Sequence, residues 1–102
     1  MTRGDVFLAS VGGKSRPVLV VTRPEVIDVR TKVTVAEITT TARGLEVEVV
    51  LDADQTGLKV DSVVNCDGLH TINKGQLTAQ IGSVDLVTLE QVCEAVVVAV
   101  GC

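Results

Sequence analysis

Hydrophobic residues recur along this chain at two periods, and the change from one to the other separates a β part from a helical part. Over the first seventy or so residues the apolar positions come in short runs divided by turn residues. Val6–Val11 reads as a first strand, and Gly12-Gly13 turns the chain. Pro17–Thr22 is predicted as a second strand. Its Val18-Leu19-Val20-Val21 run is apolar at consecutive positions, as in a central strand buried on both faces. Pro17 suits the first position of that strand because it has no ladder donor. Pro24 stops the strand, residues 23–31 read as a polar loop, and Lys32–Ile38 is a third strand. Leu45-Glu46-Val47-Glu48-Val49 alternates apolar and charged residues, the mark of a half-exposed strand. Gly57 is a turn, and Ser62–Cys66 and His70–Ile72 are short strands around an Asp67-Gly68 turn.

The last stretch changes period. Leu86, Leu89, Cys93, Val96 and Val100 recur at helical spacing, with Val92 and Val97 widening the stripe. Asp85 can cap the first turn through its carboxylate, and Gly101 ends the helix. Consecutive valines at 96–98 oppose the helix, because β-branched side chains lose rotamer freedom there. The pattern predicts a mainly β protein of five to seven strands with a C-terminal helix, a small curled sheet or barrel forming one domain over residues 1–102.

Composition narrows what such a domain can do. Nearly half the residues are hydrophobic, yet Phe7 is the one aromatic residue, so valine and leucine must fill the core. A lone Phe cannot stack several bases, so nucleic acid would be held through charge and hydrogen bonds. The net charge of −4 is uneven: residues 1–51 hold seven Lys/Arg and six Asp/Glu, and residues 52–102 hold two and seven. That asymmetry permits a local anion site on an acidic protein. Cys66, Cys93 and Cys102 form no C-x-x-C pair, and with one histidine they offer no Cys/His metal set. Reduced thiols, no metal and a cytoplasmic location are expected, with Cys93 as a small core residue. No segment reads as a signal peptide or membrane span.

The candidate chemistry starts at Lys14-Ser15-Arg16-Pro17, which holds Arg16 at the mouth of the doubly apolar strand. A cation fixed there is placed to stabilise developing negative charge. Thr39-Thr40-Thr41 ends the third strand, so Arg16 and a threonine on neighbouring strand ends make a phosphate-handling pair. The competing reading is a surface arginine before a strand and ordinary β-forming threonines. Gly13-Lys14-Ser15 resembles the end of a P-loop, but G-x-x-x-x-G-K-S/T needs glycine where Leu8 stands and should open a helix. Ser15 lacks the surroundings of a hydrolase nucleophile. His70 lies in a polar stretch with Asp67 and Thr71, and Glu37 is a charge in an apolar strand that needs solvent or a partner. Arg3-Gly4-Asp5 matches an integrin-binding tripeptide, a match common by chance.

Taken in order, these pieces resemble the MazF/PemK toxins, bacterial ribonucleases paired with an antitoxin. Arg3-Gly4-Asp5-Val6-Phe7 is similar to the family's R-G-D-I/V-W/Y, and Arg16-Pro17-Val18-Leu19-Val20-Val21 to R-P-V-L-V-I/V. Val35-Ala36-Glu37-Ile38-Thr39-Thr40, Gly57-Leu58 and Asp61-Ser62-Val63 follow. Asp67-Gly68-Leu69-His70-Thr71-Ile72 falls where the family often reads E/D-Q-I/V/L-R-S/T-I/V, and Leu77, Ile81-Gly82 and the closing helix come at the expected spacing. The resemblance implies an SH3-like barrel, usually a homodimer, that cleaves single-stranded RNA without metal or other cofactor. The substrate's 2′-OH attacks the adjacent phosphate, leaving a 2′,3′-cyclic phosphate and a 5′-OH. By this match Arg16 and Thr39 are catalytic, Lys14, Ser15, Thr40, Asp67 and His70 bind substrate, and the partner is a cognate antitoxin. The chain departs from the family in a short first loop (Gly12-Gly13-Lys14-Ser15), in Gly68 for the usual glutamine, and in His70 for an arginine. A non-catalytic antitoxin-binding module and a gyrase-directed toxin are the alternatives these departures leave open.

Overall fold

The strand carrying the doubly apolar run sits near the middle of the sheet, as its pattern requires. A computed structural model describes residues 1–101, so Cys102 lies outside the described residues. Six strands, β1 (Asp5–Val11), β2 (Lys14–Val20), β3 (Lys32–Thr39), β4 (Glu48–Leu51), β5 (Ser62–Asn73) and β6 (Leu77–Ser83), form one curled antiparallel sheet. Their spatial order is β4-β5-β3-β2-β1-β6. Three α-helices interrupt or follow them: the one-turn helices α1 (Pro24–Ile27) and α2 (Ala53–Thr56), and the long helix α3 (Leu86–Val100).

Alternation along β2 divides the interior in two. Leu19 packs with Val6, Ala36, Ile38, Val64 and Cys66 in the cluster that α3 covers through Val92 and Ala95. Val18 and Val20 point to the opposite face, where Ala9, Val33, Val35 and the α1 residue Ile27 form a second cluster. Burying a side chain of this size contributes roughly 1.5–3 kcal/mol, so two aliphatic clusters on one sheet compensate for the missing aromatics.

Several elements differ from the pattern-based expectation. Strand β2 begins at Lys14, because Gly12 and Gly13 (φ +58° and +79°) are themselves the two-residue hairpin turn, with Val11 opposite Lys14. Pro17 is therefore third in its strand. Its lack of a donor costs nothing toward β3, whose ladder with β2 runs only from Val18–Glu37 to Val20–Val35. The loop at 23–31 contains α1, which buries Ile27. The alternating segment moves toward the C-terminus: the Glu48 carboxylate accepts the Arg43 and Leu45 amides at 3.0 Å, tying 43–48 into a turn and leaving Leu45 exposed. Asp67-Gly68 is no turn, and β5 runs straight through it. The register jumps from Glu37–Asn65 to Ala36–Leu69, so residues 66–68 bulge out of the ladder. Strand β6, polar and largely exposed, carries no local signal of its own.

Helix α3 is capped as expected. The Asp85 carboxylate accepts the Thr88 amide at 2.8 Å; hydrogen bonding from the Thr88 side chain first, and from its amide second, holds the Asp85 pKa below the usual carboxylate value, and Gly101 closes the C-terminus at φ +75°. Cys93 is exposed, contrary to its expected place in the core. The packed face is centred on Val92 and Ala95 and flanked by Val96 and Ala99, and the valine-rich stripe is wider than that face. The buried thiol is Cys66, which lies 3.9 Å from the Val92 carbonyl. Arg3-Gly4-Asp5 is structural: the Gly4 amide donates to the Val20 carbonyl, the Gly4 carbonyl accepts from the Val84 amide, and Asp5 is buried.

The sheet does not close by hydrogen bonds between β4 and β6; α2 packs its backbone against β6 instead. A Cβ on Gly82 would fall 2.1 Å from the Thr56 carbonyl oxygen, and one on Gly57 would fall 2.6 Å from that of Ile81. Gly82→Ala is therefore expected to lower unfolding free energy by about 1–3 kcal/mol, the usual cost of overpacking. Gly75→Ala, where a Cβ meets nothing within 4 Å, serves as the control in denaturant melts. Burial also pushes the Cys66 thiol up to about 11, which keeps it protonated and unreactive. In a Cys93→Ala/Cys102→Ala variant, Cys66 should react with Ellman's reagent only at the rate of unfolding. Fast reaction of the native protein would contradict that burial.

Candidate functional site

The face of the sheet opposite α3 carries an open groove of about 580 Å³. Side-chain alternation explains which residues reach it. Arg16 shares a face with Val18 and Val20, and Glu37 and Thr39 share one with Val33 and Val35. The aliphatic cluster of that face is the floor, and the polar residues follow where each strand runs past it.

Arg16 and Thr39 are brought together by register. The β2–β3 ladder pairs Val18 with Glu37, and continuing the same antiparallel register two residues sets Arg16 opposite Thr39. The ladder itself ends at Val18–Glu37, and both side chains line the groove. The Thr39 hydroxyl oxygen accepts the Thr41 amide at 3.2 Å. This fixes the side chain and leaves its own hydrogen free to donate outward.

His70 and Glu37 meet on the same face. His70 Nε2 lies 2.7 Å from Glu37 Oε1, and each side chain is 54% exposed. The β5 bulge makes the contact possible, because skipping residues 66–68 sets both Asn65 and Leu69-His70 beside the Ala36-Glu37 step. Gly68 lies over the carboxylate, where a Cβ would come 2.7 Å from Glu37 Oε2. Glu37 thus has the partner that its apolar strand demands. Asn65 also lines the groove, and its Oδ1 accepts the Asp67 amide at 3.0 Å.

The formal charges of the groove balance, two arginines against two glutamates, but the two kinds are engaged differently. The groove holds Arg16, Arg43, Glu37 and Glu48. Glu48 is occupied by backbone amides and Glu37 by His70. Among the described residues His70–Glu37 is the one contact between a basic side chain and a carboxylate within 4.0 Å, so both arginines are unengaged by carboxylates. A second hollow of about 540 Å³ beside α3 is walled mainly by aliphatic side chains, with Arg3, Arg23 and Arg30. It lacks the combination of cation, hydroxyl and proton-transfer group found in the groove. Among the described residues no group of three His, Cys, Asp or Glu side chains is arranged to hold a metal ion.

The other residues expected at the site are dispersed. Lys14 is exposed at the hairpin end and has the strand parity of Arg16, but it does not line the groove. Ser15 alternates to the other face of β2, Thr40 follows the last residue of β3, and Asp67 sits in the bulge; none of the three lines the groove. Sequence reasoning left out Glu37, Asn65, Thr41 and Arg43. The available signals were Glu37, a charge interrupting an apolar strand, and Thr41, the last hydroxyl of the cluster that ends the third strand.

Comparison with known proteins gives a consistent picture. A family model described as PemK-like, MazF-like toxin of type II toxin-antitoxin system matches residues 2–100. The chain is 35% identical over 102 residues to a probable endoribonuclease MazF2 of Mycobacterium tuberculosis, covering all of both proteins. Its fold is similar to that of Mycobacterium tuberculosis toxin MazF-mt6, with TM-score 0.87 and 42% identity over 95% of this chain and 96% of that one. A mycobacterial endoribonuclease solved in complex with its cognate antitoxin aligns with TM-score 0.90 at 25% identity, over 99% of this chain and 95% of that one.

Proposed function

From the premise that the chain belongs to the PemK-like, MazF-like toxins of type II toxin–antitoxin systems, we propose that it is an endoribonuclease whose groove cleaves single-stranded RNA. The observation that carries this reading is the pair of uncommitted arginines beside an oriented Thr39 hydroxyl in one groove. RNA supplies its own nucleophile, so the protein needs no reactive side chain to attack phosphorus. The 2′-oxygen attacks the adjacent phosphate and the P–O5′ bond breaks, leaving a 2′,3′-cyclic phosphate and a 5′-OH. In this reading Arg16 neutralises the extra charge on the phosphorane oxygens and Thr39 donates its hydroxyl hydrogen to one of them. Lys14 and Arg43 extend the positive track along the backbone. Ser15, Thr40 and Asp67 are outside the groove, and any contact they make with RNA is to flanking nucleotides.

The same reading supplies the partners. A cognate antitoxin with an acidic or apolar tail would occupy the groove and neutralise Arg16 and Arg43. Leu86, Cys93, Val97 and Val100 make one exposed apolar row along α3, beside its packed face. Such a row suits burial against a twin subunit in a homodimer. No helix is long and apolar enough to cross a membrane, and a cytoplasmic site of action follows from an RNA substrate.

The test is cleavage of a mixed-sequence single-stranded RNA in EDTA with mapping of product ends. Discrete cuts with 2′,3′-cyclic phosphate and 5′-OH termini are expected. Arg16→Ala should reduce cleavage at least ~10²-fold, the scale of losing one transition-state donor. Near-wild-type cleavage by a folded Arg16→Ala protein overturns the assignment. No cleavage by the folded wild type, together with tight capture of an antitoxin, would make the chain a binding module instead.

A further inference from the structure

Resting on the ribonuclease reading above, we propose that Glu37 and His70 form a proton-transfer dyad, with His70 Nδ1 as the base that takes the 2′-OH proton and Glu37 as the residue that positions it. The geometry begins at the 2.7 Å contact between His70 Nε2 and Glu37 Oε1. A carboxylate offers only acceptors, so in this contact Nε2 carries the hydrogen. The neutral imidazole then has its lone pair on Nδ1, the nitrogen not engaged by Glu37. Fixing the tautomer through one nitrogen frees the other for chemistry, and the carboxylate stabilises the imidazolium as it forms.

Three further observations support a built arrangement. His70 lines the same groove as Arg16 and Thr39, with its ring half exposed to an entering substrate. Past the β5 bulge Leu69 pairs with Ala36 and His70 with Val35, the same-face neighbour of Glu37 on β3. Gly68 completes it, because any side chain there would collide with the Glu37 carboxylate at 2.7 Å. The remaining charged groups lining the groove are Arg16 on β2, Arg43 after β3 and Glu48 on β4. Glu48 is held by backbone amides, so Glu37 is the acid left to serve His70.

The step balances without a further reagent. The 2′-OH proton moves to Nδ1 while the 2′-oxygen forms its bond to phosphorus. The P–O5′ bond then breaks with its electron pair on O5′, which takes a proton from water in the open groove. The imidazolium returns its proton to solvent. Arg16 and Thr39 act on the phosphoryl oxygens throughout and exchange no proton.

The experiment measures kcat and KM for wild type, Arg16→Ala, His70→Gln, His70→Lys, Glu37→Gln and Glu37→Ala on one mapped RNA site between pH 5 and 8. Folding of each variant is checked by thermal melts. His70→Gln is expected to lower kcat about 10²–10⁴-fold, the usual yield of general acid–base catalysis, with KM little changed. Any pH dependence of kcat that the base contributes should be absent from this variant. Glu37→Gln, which keeps an acceptor for Nε2–H, should retain that dependence and lose less activity than Glu37→Ala. Recovery of activity by His70→Lys would show that a cation suffices and would overturn the base assignment. A folded His70→Gln with wild-type kcat and the same pH profile would overturn the dyad while leaving the ribonuclease standing, provided Arg16→Ala is inactive. Absence of cleavage by the wild type would remove the ribonuclease reading and the dyad with it.

Discussion

The alternation of β2 is the constraint from which the rest of the structure follows. Leu19 must be covered on one side of the sheet, and Val18 and Val20 on the other. A protein of this size with one aromatic residue has little volume to spend on either layer. Helix α3 covers the Leu19 side, whereas α1 delivers a single buried residue, Ile27, to the Val18 side. The second face is therefore only partly roofed. The uncovered remainder of that face, where β2 and β3 run past their aliphatic floor, is the groove. Core and site are two stretches of the same strands, and the rigidity of the first is what holds Arg16 and Thr39 in the second.

Antiparallel register turns that rigidity into chemistry. Arg16 and Thr39 are far apart in sequence, and each lies two residues past the Val18–Glu37 pair at which the β2–β3 ladder ends. The β5 bulge does the same for His70 by subtraction, removing residues 66–68 from the ladder so that His70 reaches Glu37. Both devices place polar groups through backbone pairing rather than through flexible loops, so ordering them costs little when substrate arrives.

What could be read from the sequence, and what could not, divides along the same line. Local pattern sufficed for β1, the apolar half of β2, β3, the Asp85 cap and the Gly101 terminus, because each depends on residues within one or two turns of itself. The family resemblance supplied Arg16 and Thr39 as candidates, and both line the groove. The Glu37–His70 contact was illegible because it depends on pairing between strands 33 residues apart and on a bulge disguised as an Asp-Gly turn. Strand β6 was illegible for another reason: it is a polar edge strand, held by β1 and by the close backbone approach of α2 rather than by its own hydrophobic period. Cys93 was misplaced because the apolar stripe of α3 is broader than the face that the sheet covers.

The Gly12-Gly13 hairpin has a consequence for how such a protein can change. Closing the chain there takes two residues, and lengthening a loop costs only about 0.6 kcal/mol per doubling. Val11 lines the groove at one side of that turn and Lys14 stands at the other. Residues inserted between them would extend over the groove without displacing a buried side chain. The enclosure of the groove is thus separable from the stability of the fold: lineages can add or remove a cover at this one point, and so alter which nucleotides are gripped, while the strands that hold the reacting groups stay as they are.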